Sequence, residues 1–312
     1  MVGKRLIIVG HAALDRIYRI AGFPAVPTKV RAIEGIEVGG GMAANAAVAV
    51  ARLGARVELW SRTGDDAAGA TIRAGLKAEK VDIRYVHAFE EARSSTSAII
   101  VDGMGERLIV GMRDAAIPSG TSWLPLERVT GAHVVLADLR WLEGTRAVFR
   151  AARQAGVPTV LDADLGAREA LTGLLAQVDY AVFSAPALRE FARGETDAQR
   201  LAFVLGHGVR HAGVTLGADG YLWQEPGGAV AHQPGFQVSV VDTTGAGDAF
   251  HGGFGLALAE GRPVAECARM ACAVAALKCT RLGGRAGLPT RPELEAFLAQ
   301  VGEKSGAAAS SG

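Results

Sequence analysis

The run Phe236-Gln-Val-Ser-Val-Val-Asp-Thr-Thr-Gly-Ala-Gly-Asp-Ala-Phe-His-Gly-Gly-Phe254 joins an extended apolar segment, Phe236 to Val241, to a glycine turn and an apolar, helix-compatible segment. A turn of this kind aims the backbone N–H groups of Gly245, Ala246 and Gly247 at one point. The helix dipole adds partial positive charge there, which makes an anion site, for phosphate above all. Asp248 sits at the mouth of the same hole. A carboxylate beside a phosphate site is unfavourable unless it has a task, and the natural task is to take a proton from a hydroxyl that attacks the phosphate. Taken alone, Gly-x-Gly-Asp fits a plain surface turn better than a catalytic one.

Upstream of this junction the chain alternates strand and helix. Val134–Ala137, Thr159–Leu161, Tyr180–Phe183 and Gly213–Thr215 are short apolar runs, with helical segments such as Thr145–Ala155 and Ala198–Leu205 between them. That rhythm predicts a mostly parallel sheet with helices on both faces and a ligand site at the carboxyl ends of its strands. Leu6–Val9, ending at Gly10, reads as another buried strand. Residues 16–38 and 97–112 differ. They alternate apolar and polar side chains, and Asp102–Glu106 reads as a hairpin loop, so these segments predict a small separate sheet that covers the site as a lid.

A second constellation opens with Gly39-Gly-Gly41 and continues into an Ala-rich helix, Met42 to Leu53. Glycines before a helix let a ligand approach bare backbone. Asn45 is the lone polar side chain of that helix before Arg52; it either back-bonds to the helix or touches the ligand, and the glycines favour contact. Asp15 follows the first strand, where a carboxylate can bind sugar hydroxyls. The Thr215-Leu-Gly-Ala-Asp-Gly220 turn is by itself an ordinary βα connection.

Together these strings resemble the ribokinase-like (PfkB) family of sugar kinases, over residues 4 to 300 and in the family's order. The resemblance implies an α/β fold with a small β-sheet lid over residues 1–303 and in-line transfer of the ATP γ-phosphoryl to a sugar hydroxyl. It makes Asp248 the base and the N–H groups of Gly245, Ala246 and Gly247 the anion hole. It places Asp15, Gly40, Gly41 and Asn45 on the sugar, and Thr215, Gly217, Gly220 and Thr243 on the nucleotide. It implies ATP and Mg²⁺, with K⁺ at Asp242 and Thr244. Where many members carry Asn-x-x-Glu, this chain has Ser184-Ala-Pro-Ala187, which leaves Asp162, Asp164 and Glu190 open as Mg²⁺ partners.

Several strings, among them Leu136–Trp141 and Ala276–Gly287, are similar to the bacterial sulfofructose kinase branch. Arg140 falls where that branch places a sulfonate-binding arginine, although a plain salt bridge explains it as well. Gly111 and Thr28 stand where the branch has Asn and Gly. The expected substrate is a small sugar, a ketose or modified hexose, with sulfofructose the specific alternative.

The 312 residues are 49% apolar with 41 glycines, which suits one large domain rich in tight turns. A net charge of +1 gives no electrostatic case for nucleic acid or anionic membranes. Cys267, Cys272 and Cys279 form no CxxC pair and read as buried apolar residues in a reducing compartment. With no leader-like or membrane-spanning stretch, a cytoplasmic protein is expected. Residues 304–312 read as a disordered tail. Exposed lid edges suggest a homodimer. A dinucleotide oxidoreductase would need GxGxxG after the first strand, where Gly10–Asp15 lacks it. A nucleoside kinase would favour an apolar pocket over the basic residues near the lid. A non-catalytic sugar-binding regulator could dispense with Asp248, which this chain keeps.

Overall fold

The computed structural model describes residues 3–104, 106–165 and 168–309. Its strands are β1 (Arg5–Gly10), β2 (Ala13–Arg19), β3 (Glu34–Gly40), β4 (Arg56–Gly64), β5 (Asp82–Phe89), β6 (Thr96–Val101), β7 (Arg107–Met112), β8 (Val134–Asp138), β9 (Thr159–Ala163), β10 (Tyr180–Ser184), β11 (His211–Thr215), β12 (Tyr221–Gln224) and β13 (Ala231–Gln233). The α-helices are α1 (Met42–Arg52), α2 (Ala67–Ala78), α3 (Leu142–Ala155), α4 (Arg168–Leu174), α5 (Ala185–Phe191), α6 (Asp197–Leu205), α7 (Ala246–Ala259), α8 (Val264–Lys278) and α9 (Arg291–Ala309).

The main sheet runs β13-β12-β11-β10-β9-β8-β1-β4-β5. It is parallel from β5 to β11, and β12 and β13 add an antiparallel edge. Alternation along β1 explains the layers. Leu6 and Ile8 enter a core shared with Val48, Leu76 and Phe254, from α1, α2 and α7. Ile7 and Val9 enter the opposite core, with Phe149 of α3 and Leu188 of α5. The sheet is thus buried on both faces, and its strand ends become the accessible place for chemistry.

The second sheet, β3-β2-β6-β7, is the lid. Its two antiparallel pairs meet along a parallel β2–β6 ladder, where a purely antiparallel sheet was expected. Pairing within residues 16–38 is also shorter than the alternation suggested. Residues 20–33 form no strand and are exposed apart from Ile20. Pro24 and Pro27 lie in this segment and carry no N–H for a ladder.

Phe236–Val241 is extended but joins no sheet. The N–H groups of Val241 and Asp242 both donate to the Cys279 carbonyl, so this segment is tied to the exit of α8 instead. The β12–β13 hairpin and β5 carry weak sequence signals and were not anticipated. The tail is not uniformly irregular: α9 continues through Ala309, consistent with the helix propensity of Ala307–Ala309. Residues 310–312 lie outside the described residues. Among the described residues no helix is long and apolar enough to cross a membrane.

Candidate active site

Helix α7 starts from Gly245 in the left-handed region (φ 77°), with no side chain capping it. That conformation suits glycine. The first N–H groups of a helix have no intrahelical partner, and among the described residues those of Gly245 and Gly247 have no backbone acceptor. Ala246 is different. Its N–H turns back to the Thr243 carbonyl at 3.2 Å, so it is a bracing residue of the turn and not a free donor as expected. The N–H groups left open at this turn are therefore those of Gly245 and Gly247 at the helix start.

Asp248, in the first turn, accepts from Nδ2 of Asn45 at 2.8 Å. The two glycine-led helices thus meet through these two polar side chains, where Asn45 was expected to back-bond to its own helix or touch the ligand. Burial, reinforced by the nearby Asp162 carboxylate, pushes the Asp248 carboxyl up to about 7, while the Asn45 hydrogen bond pulls the other way. A base with that affinity for protons is matched to neutral pH. His251, one turn further along α7, donates from Nδ1 to the Gly247 carbonyl (2.7 Å), and burial keeps its pKa below the ordinary value.

Asp15 on β2 is buried, and burial raises its pKa against a hydrogen bond from Ser97 and the charge of Arg285. Gly40 lies beside it on β3: a Cβ there would sit 2.0 Å from Oδ2 of Asp15. Gly41 (φ 91°) precedes α1, and a Cβ on it would meet the His11 carbonyl at 2.5 Å. These glycines are dictated by close approach.

Arg285 was missed by sequence reasoning. It is buried, donates Nε–H to Asn45 Oδ1 at 2.9 Å and donates from Nη2 to the Gly40 carbonyl at 3.1 Å. Its guanidinium crosses the backbone of Gly39, where a Cβ would stand 1.9 Å from Nη1. The arginine itself sits in a turn-rich loop with no periodic pattern. The available signal was the third glycine of Gly39-Gly-Gly41, one more than a helix entry needs.

Asp138 was missed as well. Buried at the carboxyl end of β8, it accepts from the N–H of His11 (2.8 Å), Ala43 (3.1 Å) and Arg140 (2.8 Å). One carboxylate thereby ties the turn after β1 to the starts of α1 and α3. Burial raises its pKa against those three backbone bonds.

On the other side of the α7 start lies a slot of about 240 Å³. Thr215, Gly217, Gly220 and Thr243 line it, and apolar groups of Val238, Phe250 and Ala276 complete it. Gly217 (φ 62°) and Gly220 (φ 94°) are left-handed, and a Cβ on Gly220 would be 2.1 Å from the Gln233 carbonyl. A narrow apolar slot next to free N–H groups fits a purine with its phosphates on the helix start.

Asp242 organises the turn. Its Oδ1 accepts from N–H and Oγ1 of Thr244 (2.9 and 2.8 Å), and its Oδ2 accepts from the Gly283 N–H (2.7 Å). The buried ammonium of Lys278 donates to its main-chain carbonyl at 2.7 Å.

Arg140 pairs with Asp164 at 3.2 Å. The buried imidazole of His11 has its pKa lowered to about 3, first by burial and then by the charges of Arg113, Arg140 and Arg62. His11 Nε2 has no hydrogen-bond partner among the described residues. Gly111 lies on β7 opposite Ser97 of β6. Thr28 lies on the exposed connection between β2 and β3, outside the buried group around Asp248.

This arrangement has close parallels. An Agrobacterium tumefaciens crystal structure with a provisional ribokinase assignment superposes with a TM-score of 0.92 at 38% identity, covering 96% of this chain and 99% of that one. Arabidopsis thaliana ribokinase, solved with ribose and ATP, gives a TM-score of 0.84 at 27% identity over 96% and 99% of the two chains. An ATP-dependent ribose-1-phosphate kinase of Halopiger xanaduensis is 31% identical across 95% of this chain and 98% of its own length. Residues 4–291 match the model of the pfkB family of carbohydrate kinases. A phosphotransferase site on a ribokinase-like α/β sheet, with relatives covered almost end to end, makes this chain a member of the pfkB carbohydrate kinase family.

Proposed function

We propose that this sugar kinase phosphorylates a hydroxyl of a small ketose or modified hexose that carries an anionic substituent. The observation that supports the kinase chemistry most directly is the 2.8 Å contact of Asp248 with Asn45 beside the open start of α7. Asp15 and Asn45 hold the sugar so that the attacking hydroxyl faces Asp248. Asp248 takes the hydroxyl proton as the oxygen bonds to the γ-phosphorus, and the bond to the β-phosphate oxygen breaks with ADP leaving. The N–H groups of Gly245 and Gly247 lie where negative charge grows on the transferred group.

Mg²⁺ neutralises the phosphates when bound with ATP. Asp162 and Asp164 at the end of β9 suit a cation, because burial and the charges of Asp138 and Asp164 drive the Asp162 pKa well up. Among the described residues no three His, Cys, Asp or Glu side chains converge as a cage, which agrees with an ion that keeps much of its water.

The substrate reading rests on the positive charge that Arg62, Arg113 and Arg140 bring to bear on His11, whose buried Nε2 has no hydrogen-bond partner among the described residues. Sulfofructose is one sugar with the right ending. The ribose-1-phosphate kinase among the relatives acts on a sugar phosphate, and a Vibrio alginolyticus fructokinase, 29% identical, acts on a ketose by name. A coupled ADP-release assay across sulfofructose, fructose phosphates, ribose-1-phosphate, fructose, ribose and adenosine tests the proposal. An anionic sugar should give the highest kcat/KM. Preference for a neutral sugar or adenosine removes the substrate reading, and saturable sugar binding without turnover removes catalysis.

A further inference from the structure

The pfkB resemblance led to an expectation of K⁺ at Asp242 and Thr244, and the residues around them do not fit a second cation. Lys278, the last residue of α8, is fully buried. Lysine is almost never fully buried unless its charge is answered. Its Nζ stands 2.7 Å from the Asp242 carbonyl and 3.9 Å from Asp242 Oδ2. It thus uses the main-chain oxygen and faces the carboxylate that a bound cation would need. An ammonium carries the charge of K⁺, and both are satisfied by carbonyl oxygens. A K⁺ ion on the same oxygens would meet a like charge at close range.

We propose that the Lys278 ammonium is a tethered replacement for the monovalent cation, holding the anion-hole turn in its working shape. The surroundings are built for this. Asp242 joins the turn to the following loop through Thr244 and Gly283. The carbonyl of Cys279, next to the lysine, accepts from both Val241 and Asp242. The loop after α8 wraps back so closely that a Cβ on Gly287 would lie 2.1 Å from the Lys278 carbonyl. Free donors at Gly245 and Gly247 follow directly from this braced turn. The inference rests on the kinase reading only for its activity measurement.

The test compares wild-type protein and Lys278→Ala in tetramethylammonium buffer with and without K⁺ or NH₄⁺. Wild-type turnover should not change with K⁺. Lys278→Ala should lose on the order of 10²-fold in kcat, the scale of disturbing one oxyanion donor, and regain part of it when K⁺ or NH₄⁺ enters the vacated space. Melting temperature gives a readout without turnover: K⁺ should raise it for Lys278→Ala and leave wild type unmoved. Strong K⁺ activation of wild type would overturn the proposal, as would full activity of Lys278→Ala without K⁺. If the alanine variant does not fold, the wild-type cation titration decides alone. If no sugar is phosphorylated, the function reading fails while the melting comparison still tests the tethered cation.

Discussion

Arg285 donates its Nε–H to Oδ1 of Asn45 across 2.9 Å. A guanidinium has donors only, so the amide must present its oxygen to Arg285 and its nitrogen to Asp248. The orientation of the proposed base, Asp248, is therefore decided on a loop some forty residues downstream. Helix α1 grips the same residue twice, because Arg52, two turns after Asn45, donates to the Arg285 carbonyl at 2.8 Å. Arg285→Gln removes the compulsory donor and a positive charge near Asp248. It should lower kcat about 10–10²-fold, in line with a charge-assisted hydrogen bond, leave KM for ATP unchanged, and move the acid limb of the pH–rate profile upward. A purely structural arginine would alter stability and leave that limb in place.

Asp248 should give activity and stability opposite pH dependences. Activity needs the ionised base, so kcat falls as pH drops below about 7, the value to which burial and Asp162 push this carboxyl. For stability the sign reverses. The folded pKa lies above the ordinary 3.8, so folding binds a proton; the group costs nothing below pH 4, and the cost grows as pH rises through the interval to about 7. Above pH 7 the penalty is roughly 4 kcal/mol as an order of magnitude. Asp248→Asn should lose about 10²–10⁴ in kcat and melt higher than wild type at pH 8, with no such gain at pH 4. Calorimetry at the two pH values checks the stability half, and equal melting shifts at both would contradict it.

The parallel sheet was legible because its strands are uniform apolar runs between helical segments, and a doubly covered strand permits little else. The α7 start was legible because a helix entered through glycines leaves its donors visible in the sequence. Arg285, Asp138 and Lys278 were not. Each acts on a partner more than thirty residues away, and each lies in an element whose local pattern is the same with any polar residue at that position. Ala246 failed for another reason: its N–H was spent on Thr243 by a turn geometry that composition does not reveal. That the extended run 236–241 joins no sheet has a similar cause, since the Cys279 carbonyl claims the N–H of Val241 and of Asp242 just beyond it.

The lid should pair two copies of this chain. Among the described residues strand β7 bonds only to β6, and Leu108, Ile109, Val110 and Met112 are all exposed along it. Consecutive side chains point to opposite faces, so both faces of an unpaired edge are apolar, a combination that soluble monomers avoid. A homodimer through the lids would cover it. Sedimentation velocity should show a dimer for wild type and a monomer for Ile109→Lys, with unchanged secondary structure. A wild-type monomer at micromolar concentration would rule the assembly out.

Arg140 provides the sharpest test of substrate charge. In the structure its Nη2 is held by Asp164 at 3.2 Å and its Nη1 by the Leu165 carbonyl at 3.4 Å, while its backbone N–H is fixed by Asp138. The main chain is thus anchored, and the guanidinium has a partly exposed carboxylate and one long carbonyl contact to leave. Such a pair is worth little on its own, so a sulfonate or phosphate can recruit the arginine cheaply. Arg140→Met should cut kcat/KM for an anionic sugar about 10–10²-fold through KM, the scale of one charged hydrogen bond. It should leave turnover of the corresponding neutral sugar unchanged or improved, because a cation no longer faces its hydroxyl. An equal loss on both sugars would mean that Arg140 braces the β8 turn and does not read the substrate. Kinetics on sulfofructose and fructose with the same enzyme preparation separate the two.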